Sequence, residues 1–260
     1  MKLDRTVSVL GLYEYGNPHP GNALFSRFYS VATDMLHSFG IQPTFIGAEG
    51  NGYSGKFTKF GGRTQAKLLQ SGFSDISVLT LAANPASSDA PSYDSFACLS
   101  LSYVDTSTEL LLCVAMNEAF VKLGSERFDA AAGSLARLHH WDFGFGFSDD
   151  AAAQPELHIL GMDNGRLCPE DQSLLTAWYE AAADVRVGHL RDVYPYNLLN
   201  EQQLQQEVAA GVRLKEFIEQ QPGCTLAPLA DGGLYEWKVS DDKVLDQLRK
   251  QLRALPILIH

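Results

Sequence analysis

The chain has 260 residues, of which 45% are hydrophobic and 20% are charged, and its formal net charge is -11. This size and composition allow a substantial buried core, which excludes an intrinsically disordered protein. No run approaches the roughly 20 apolar residues of a membrane helix, and the N-terminus lacks the apolar core and cleavage site of a signal peptide. We therefore expect a cytoplasmic globular protein with one large domain or two small ones.

The N-terminal residues alternate between strand and helix patterns. Residues 6–15 read as an apolar opening strand, and apolar residues at steps of three or four predict an amphipathic helix over 23–39. A glycine-rich loop over 47–56 separates it from a second predicted helix over 64–70. The next strand is expected over 73–84.

Residues 96–116 predict a β-hairpin that turns at Asp105 and Thr106. This register places Cys98 opposite Cys113, so a cross-strand disulfide is geometrically conceivable. Most cytoplasmic thiols stay reduced, which favours two half-buried free cysteines instead. The four cysteines of the chain show no CxxC spacing, and a zinc site is therefore improbable.

Helices are expected over 118–123 and 126–139. Beyond the central segment, the residues LHILGM and the Asn164-Gly165 turn suggest a short hairpin. A helix is predicted to begin at Pro169, because proline suits the first position of a helix. Residues 192–200 read as an extended connector.

The C-terminal part predicts helices over 200–208 and 212–221, followed by two strands about the Asp-Gly-Gly turn at 231–233. Ser240 is a suitable N-cap for the next helix, and residues 257–259 form a final strand.

These elements predict an α+β fold with antiparallel or mixed sheets and helices packed on one face. Two similar-sized halves, residues 1–140 and an acidic half at 141–260, are compatible with the pattern, and so is one continuous domain.

The segment HHWDFGFGFSDD, residues 139–150, most resembles a functional site. The period of two predicts a strand with aromatic residues on one side and small or polar residues on the other. The aromatic side is Trp141, Phe143, Phe145 and Phe147, and the other is Asp142, Gly144, Gly146 and Ser148. The glycine side allows a helix or another backbone to approach closely. His139 and His140 would point about 100 degrees apart at the end of a helix, which is poor geometry for one metal ion.

Two other patterns in the sequence offer alternative functional sites. FGGRTQAK, residues 60–67, could bind an anion at a helix start, although a plain turn is favoured and the P-loop spacing is absent. A small-molecule hydrolase or transferase could use His140 near Asp142 or His189 near Asp192 in a cleft.

Negative charge is concentrated in residues 141–184, which contain nine acidic residues and one basic residue, Arg166. Concentrated charge favours a basic partner and disfavours nucleic acid and anionic membranes, although a solvated acidic face is the simpler alternative. Trp178 and Tyr179 could serve as aromatic anchors of an interface. The predicted partner-binding residues are Asp142, Asp149, Asp150, Glu156, Asp163, Glu170, Asp171, Trp178, Glu180 and Asp184.

Three stretches, HHWDFGFGFS, KFGGRTQAKLLQSGFSDIS and DVYPYNLLN, resemble immunity proteins of bacterial polymorphic and type VI secretion toxin systems. The resemblance covers scattered stretches amounting to about a third of the chain. It implies a cytoplasmic, cofactor-free and non-catalytic protein that neutralises one toxin by covering the toxin's active site. Many such toxins are basic nucleases. No functional residue carries over by position, so the site prediction depends on charge alone.

Overall fold

The structure is a computed structural model that describes residues 5–84, 95–162, 169–229 and 233–259. Within these residues, eleven strands form one sheet whose neighbouring strands all run antiparallel, and two more form a small hairpin. The strands are β1 (Thr6–Tyr15), β2 (Phe45–Gly50), β3 (Tyr53–Ser54), β4 (Thr58–Lys59), β5 (Ile76–Ala83), β6 (Ala97–Val104), β7 (Glu109–Asn117), β8 (Phe143–Asp150), β9 (Tyr196–Asn200), β10 (Glu207–Ala209), β11 (Val212–Arg213), β12 (Cys224–Pro228) and β13 (Leu234–Val239). The sheet order is β12-β13-β9-β8-β1-β7-β6-β5-β2-β3, with β4 also paired to β2, and the hairpin is β10-β11.

Nine α-helices are described, and they cover both faces of the sheet. They are α1 (Asn22–Ser38), α2 (Arg63–Ser71), α3 (Glu126–Ala136), α4 (Pro155–Ile159), α5 (Pro169–Glu180), α6 (Ala183–Gly188), α7 (Glu201–Leu204), α8 (Leu214–Glu219) and α9 (Asp242–Leu252). Helices α1–α3 pack on what we call the first face, and α4–α9 pack on the opposite, second face. The predicted α+β class with an antiparallel sheet is confirmed. Each half of the chain places its helices on one face, as predicted. The two halves use opposite faces, so the sheet as a whole has helices on both sides.

Helices cover both faces of the sheet because its central strands are apolar on both sides. β1 is buried from Val7 to Tyr15, and β7 is buried along its whole length. Leu10 of β1 belongs to the first-face core, whereas its neighbour Val9 belongs to the second-face core. A strand that is apolar on both sides needs cover on both sides.

β8 connects the two predicted halves, because it pairs with β1 of the first half and with β9 of the second. Residues 1–140 and 141–260 therefore contribute strands to one continuous sheet. Among the described helices, none combines the length and apolarity that a membrane crossing requires.

The aromatic alternation of the central segment is confirmed within β8. Phe143 and Phe145 are fully buried in the second-face core, and Phe147 packs against it. On the other side, a Cβ at Gly146 would lie 3.2 Å from Phe128 Cζ of α3, which is the predicted close approach of a helix. Trp141 is the exception, since it precedes the strand and packs in the first-face core, where its Nε1 donates to the Leu135 carbonyl at 3.2 Å.

The predicted register of the β6–β7 hairpin is wrong. Val104 pairs with Glu109, so four residues form the turn instead of two, and Thr108 takes a left-handed φ of 48°. Cys98 consequently faces Ala115, while Cys113 faces Ser100, and both cysteines are free thiols.

Several short elements also differ from prediction. The residues expected to form a strand at LHILGM begin in helix α4, and the Asn164-Gly165 turn lies outside the described residues. The helix expected over 118–123 is a turn, and the helix expected over 200–208 stops at Leu204, before the β10–β11 hairpin. The final strand is reduced to one bridge between Leu190 and Leu258.

Candidate functional site

A cleft of about 350 Å³ opens on the second face, and we call it the charged cleft. Its walls come from the end of β8, from α4, α5 and α9, and from the segment that connects α6 to β9. The ionisable lining residues are Asp149, His158, Asp171, Arg191, Asp192, Tyr194, Asp242, Arg249 and Arg253. They are far apart in the sequence, and the fold brings them together.

Local structure explains why α9 supplies three of these residues. The Asp241 side chain caps the helix by accepting hydrogen bonds from the backbone N–H groups of Lys243 and Val244 at 2.7 and 3.4 Å. Spacings of seven and four residues then place Asp242, Arg249 and Arg253 on one side of the helix. That side forms one wall of the cleft.

Ion pairs hold this wall against α5 and the connecting segment. Arg253 Nη2 lies 2.8 Å from Asp171 Oδ1 and 2.7 Å from Asp192 Oδ2. Arg249 Nε donates to the Val193 carbonyl at 2.8 Å and lies 3.5 Å from Asp192 Oδ2. These contacts link three segments that are separated in the chain.

Arg191 forms the inner wall, since it lines the cleft although only 3% of it is exposed. Its Nη1 donates to the Tyr13 hydroxyl at 3.2 Å, and its Nη2 donates to the His158 carbonyl at 2.6 Å. The guanidinium also lies 5.0 Å from the centre of the Phe145 ring, within range of a cation–π contact. No carboxylate in the described part of the chain forms an ion pair with it.

His158 and Tyr194 supply uncharged polar groups. His158 Nε2 lies 2.9 Å from the Tyr194 hydroxyl. Burial, together with the positive charges of Arg191 and Arg249, lowers the pKa of His158 to about 3, and the ring is therefore neutral at physiological pH. Burial also raises the pKa of Tyr194, which keeps the phenol protonated. The cleft thus combines charges of both signs with neutral hydrogen-bonding groups.

Two of the predicted partner-binding residues, Asp149 and Asp171, line the charged cleft. Two more lie next to them in the chain. The side chain of Asp150 is 40% exposed and lies 3.9 Å from Arg5 Nε, and that of Glu170 is 73% exposed and lies 3.8 Å from Arg253 Nη1. Glu170 thus joins Asp171 at the start of α5, whereas Asp150 follows Asp149 in β8, where successive side chains point to opposite faces, and accepts a hydrogen bond from the Ala152 N–H at 2.8 Å.

The other predicted residues do not join this group. Asp142 lies beyond the opposite end of β8, seven residues or about 23 Å from Asp149 along an extended chain. Glu156 is half-buried on α4, whereas Glu180 and Asp184 are exposed near the end of α5 and the start of α6.

Asp163 lies outside the described residues. Trp178 is 1% exposed and packs against Tyr15 and Phe143, so it belongs to the core and is not an exposed anchor.

The adjacent histidines of the central segment have different surroundings. His139 Nε2 lies 2.6 Å from Glu14 Oε2, whose other oxygen accepts from Asn17 at 2.7 Å, whereas His140 is exposed. Asp142 accepts a hydrogen bond from the Tyr15 N–H at 2.8 Å, and burial raises its pKa. In the part of the chain that the structure describes, no group of three or more His, Cys, Asp or Glu side chains is arranged to hold a metal ion.

The histidines proposed for a hydrolase or transferase lie elsewhere. Neither His140 nor His189 lines the charged cleft, and Asp192 pairs with Arg249 and Arg253 instead of His189. His158 lines the cleft instead, and no sequence motif singled it out. The predicted helix at FGGRTQAK begins at Arg63 without a side-chain cap at Gly62, and Gln65 accepts a hydrogen bond from the N–H of Gly61, which precedes the helix.

The fold is shared with a known protein. The solved structure of the Pseudomonas aeruginosa T6SS protein PA0821 is similar, with a TM-score of 0.60 and 11% sequence identity, covering 97% of this chain and 73% of that one. At this identity the likeness shows a common fold. No family model matches the chain, and no curated protein matches it.

Proposed function

We propose that this protein acts with a bacterial type VI secretion system as an immunity or inhibitor protein that binds a basic toxin. The observation that carries the proposal is the fold likeness to a T6SS protein along 97% of the chain. The resemblance of three sequence stretches to immunity proteins of such systems points in the same direction. In this proposal the protein acts by covering the toxin's active site, without chemistry of its own.

The proposed contact surface is the acidic rim, which we define as Asp149, Asp150, Glu170 and Asp171. These carboxylates come from the end of β8 and the start of α5, and two of them, Asp149 and Asp171, line the charged cleft. Carboxylates on one surface attract a basic protein and speed its association. Glu180 and Asp184, exposed farther along the chain, would add to the long-range attraction.

The first experiment uses the product of the neighbouring gene as the candidate toxin, because immunity proteins are usually encoded beside their toxins. We expect the wild-type protein to restore growth of bacteria that express this toxin and to form a 1:1 complex with it. Association should slow as the salt concentration rises, since salt screens the attraction between charged surfaces. If neither rescue nor binding is observed, the proposal fails.

Charge-matched variants test the rim separately. We expect D149N/D150N/E170Q/D171N to bind the toxin more weakly and to lose protection. The control D34N/D105N/E219Q/D246N removes the same number of charges at exposed positions for which the structure gives no ion pair. Equal protection by both variants would assign toxin binding to a different surface.

A further inference from the structure

The charged cleft contains charges of both signs that have no ion-pair partner among the described residues. Arg191 has no carboxylate partner, as described above. Asp149 and Asp242 also line the cleft, and within the described residues neither forms an ion pair with a lysine, arginine or histidine. The Asp149 side chain instead accepts from the Asp150 N–H at 2.7 Å, and Asp242 is exposed in the first turn of α9.

The state of Arg191 is energetically unusual. A guanidinium carries five N–H donors, and burying its charge is costly unless it is paired and hydrogen-bonded. Arg191 donates to one hydroxyl and one carbonyl, and its buried Nε has no acceptor in the part of the chain that the structure describes. Aromatic rings offset part of the cost. A bound carboxylate would supply the missing negative charge.

The carboxylates restrict which ligand fits. An inorganic anion or a dicarboxylate would be attracted by Arg191 but repelled by Asp149 and Asp242. A simple cation would be attracted by Asp149 and Asp242 but repelled by Arg191. A small molecule with one carboxylate and one ammonium group satisfies both ends.

We propose that the charged cleft binds a small zwitterion, a free α-amino acid or dipeptide, with its carboxylate towards Arg191 and its ammonium group towards Asp149 and Asp242. The cleft volume of about 350 Å³ is at the lower end of the range for small-molecule sites, which is roughly 300–1,000 Å³. His158 and Tyr194 offer hydrogen bonds without adding charge. This inference does not depend on a toxin partner.

The direct test is isothermal titration of the full-length protein with a panel of L-amino acids and dipeptides. For each, the N-acetyl derivative lacks the ammonium group and the C-terminal amide lacks the carboxylate. We expect at least one unmodified compound to bind, and both of its derivatives to bind about tenfold or more weakly, because each loses a charge-assisted contact. Absence of binding by every unmodified compound, or equally tight binding of either derivative, would overturn the proposal.

A pair of variants then locates the site. D149N/D242N removes the two proposed ammonium partners without altering buried Arg191, and we expect it to bind the unmodified ligand about tenfold or more weakly. The control D105N/D246N removes two exposed carboxylates, one of them a single helical turn after Asp242, and should bind as the wild type does. Circular dichroism and thermal unfolding establish that both variants fold. Equal binding by both variants would exclude the cleft as the site.

The readouts separate this inference from the proposed function. Amino-acid binding without toxin neutralisation would leave the cleft assignment intact and overturn the immunity proposal. Neutralisation without amino-acid binding would overturn the cleft assignment and leave the immunity proposal intact.

Discussion

The two faces of the sheet are built from different chemistry. On the first face, α1–α3 cover the sheet with hydrocarbon and aromatic side chains such as Phe25, Phe28 and Phe128. On the second face, α4–α9 bury two arginines, Arg186 and Arg191, among tyrosines and phenylalanines. The first face also buries one carboxylate, Glu14, which lies 2.6 Å from His139 Nε2. Among the described residues, buried arginines are found only on the second face, which is the side that carries the charged cleft.

Breaking a buried ion pair of the second face should give the largest effect. Arg186 Nη1 lies 3.2 Å from Glu109 Oε2, and the two side chains are 7% and 10% exposed. We expect Arg186→Met to lower the free energy of unfolding by about 3–5 kcal/mol, because Glu109 would be left buried without its partner. The measurement is urea denaturation at neutral pH.

The double variant Glu109→Leu/Arg186→Met is the matched control. It removes both charges, and we expect it to recover most of the stability lost by Arg186→Met. If the double variant were no more stable than the single one, packing around Arg186 would matter and the charge would not. That outcome would remove the proposed difference between the two faces.

A smaller effect is expected where the first face meets β8. A Cβ added at Gly146 would lie 2.9 Å from the Val9 carbonyl oxygen and 3.2 Å from Phe128 Cζ, so Gly146→Ala should lower the free energy of unfolding by about 1–3 kcal/mol. Gly133→Ala is the control, because its Cβ would meet Arg137 Nη1 at 3.4 Å. Alanine in the middle of α3 should stabilise the protein by about 0.5–1 kcal/mol. Thermal unfolding of both variants checks these signs, and equal destabilisation would contradict the close approach at Gly146.

The two sides of β8 also show which features could be predicted from the sequence and which could not. Alternation along a strand is local, so the aromatic and glycine sides of residues 143–147 could be predicted without any knowledge of the fold. Trp141 was misassigned because periodicity does not indicate where a strand begins. The β6–β7 register depended on a four-residue turn with Thr108 in the left-handed region, which the residues themselves do not signal.

The charged cleft lay beyond sequence reasoning for a different reason. Its unpaired groups, Asp149, Arg191 and Asp242, are separated by about forty and about fifty residues and meet through tertiary packing. Counting charges identified an acidic segment, but β8 separates Asp142, which precedes its first residue, from Asp149 and Asp150 at its last two residues. The count also could not reveal that Arg253, from the last helix, would pair with Asp171.

The pH dependence of stability gives the finest test of the second face. Burial and the charges of Arg191 and Arg249 lower the pKa of His158 from 6.5 to about 3. Below about pH 6.5 the His158 ring therefore binds a proton in the unfolded chain but not in the folded protein, and stability is lost as the pH falls from there towards 3.

His158→Gln removes this titrating group but offers an amide that can still bond to the Tyr194 hydroxyl. We expect the stability lost between pH 7 and pH 5 to be smaller in this variant than in the wild type by about 1–2 kcal/mol, measured by urea denaturation at each pH. His37→Gln, at an exposed position on α1, controls for the loss of one imidazole. Parallel pH profiles for wild type and His158→Gln would mean that the pKa of the His158 ring is not lowered in the folded protein, and the cleft would then gain a positive charge as the pH falls below about 6.5.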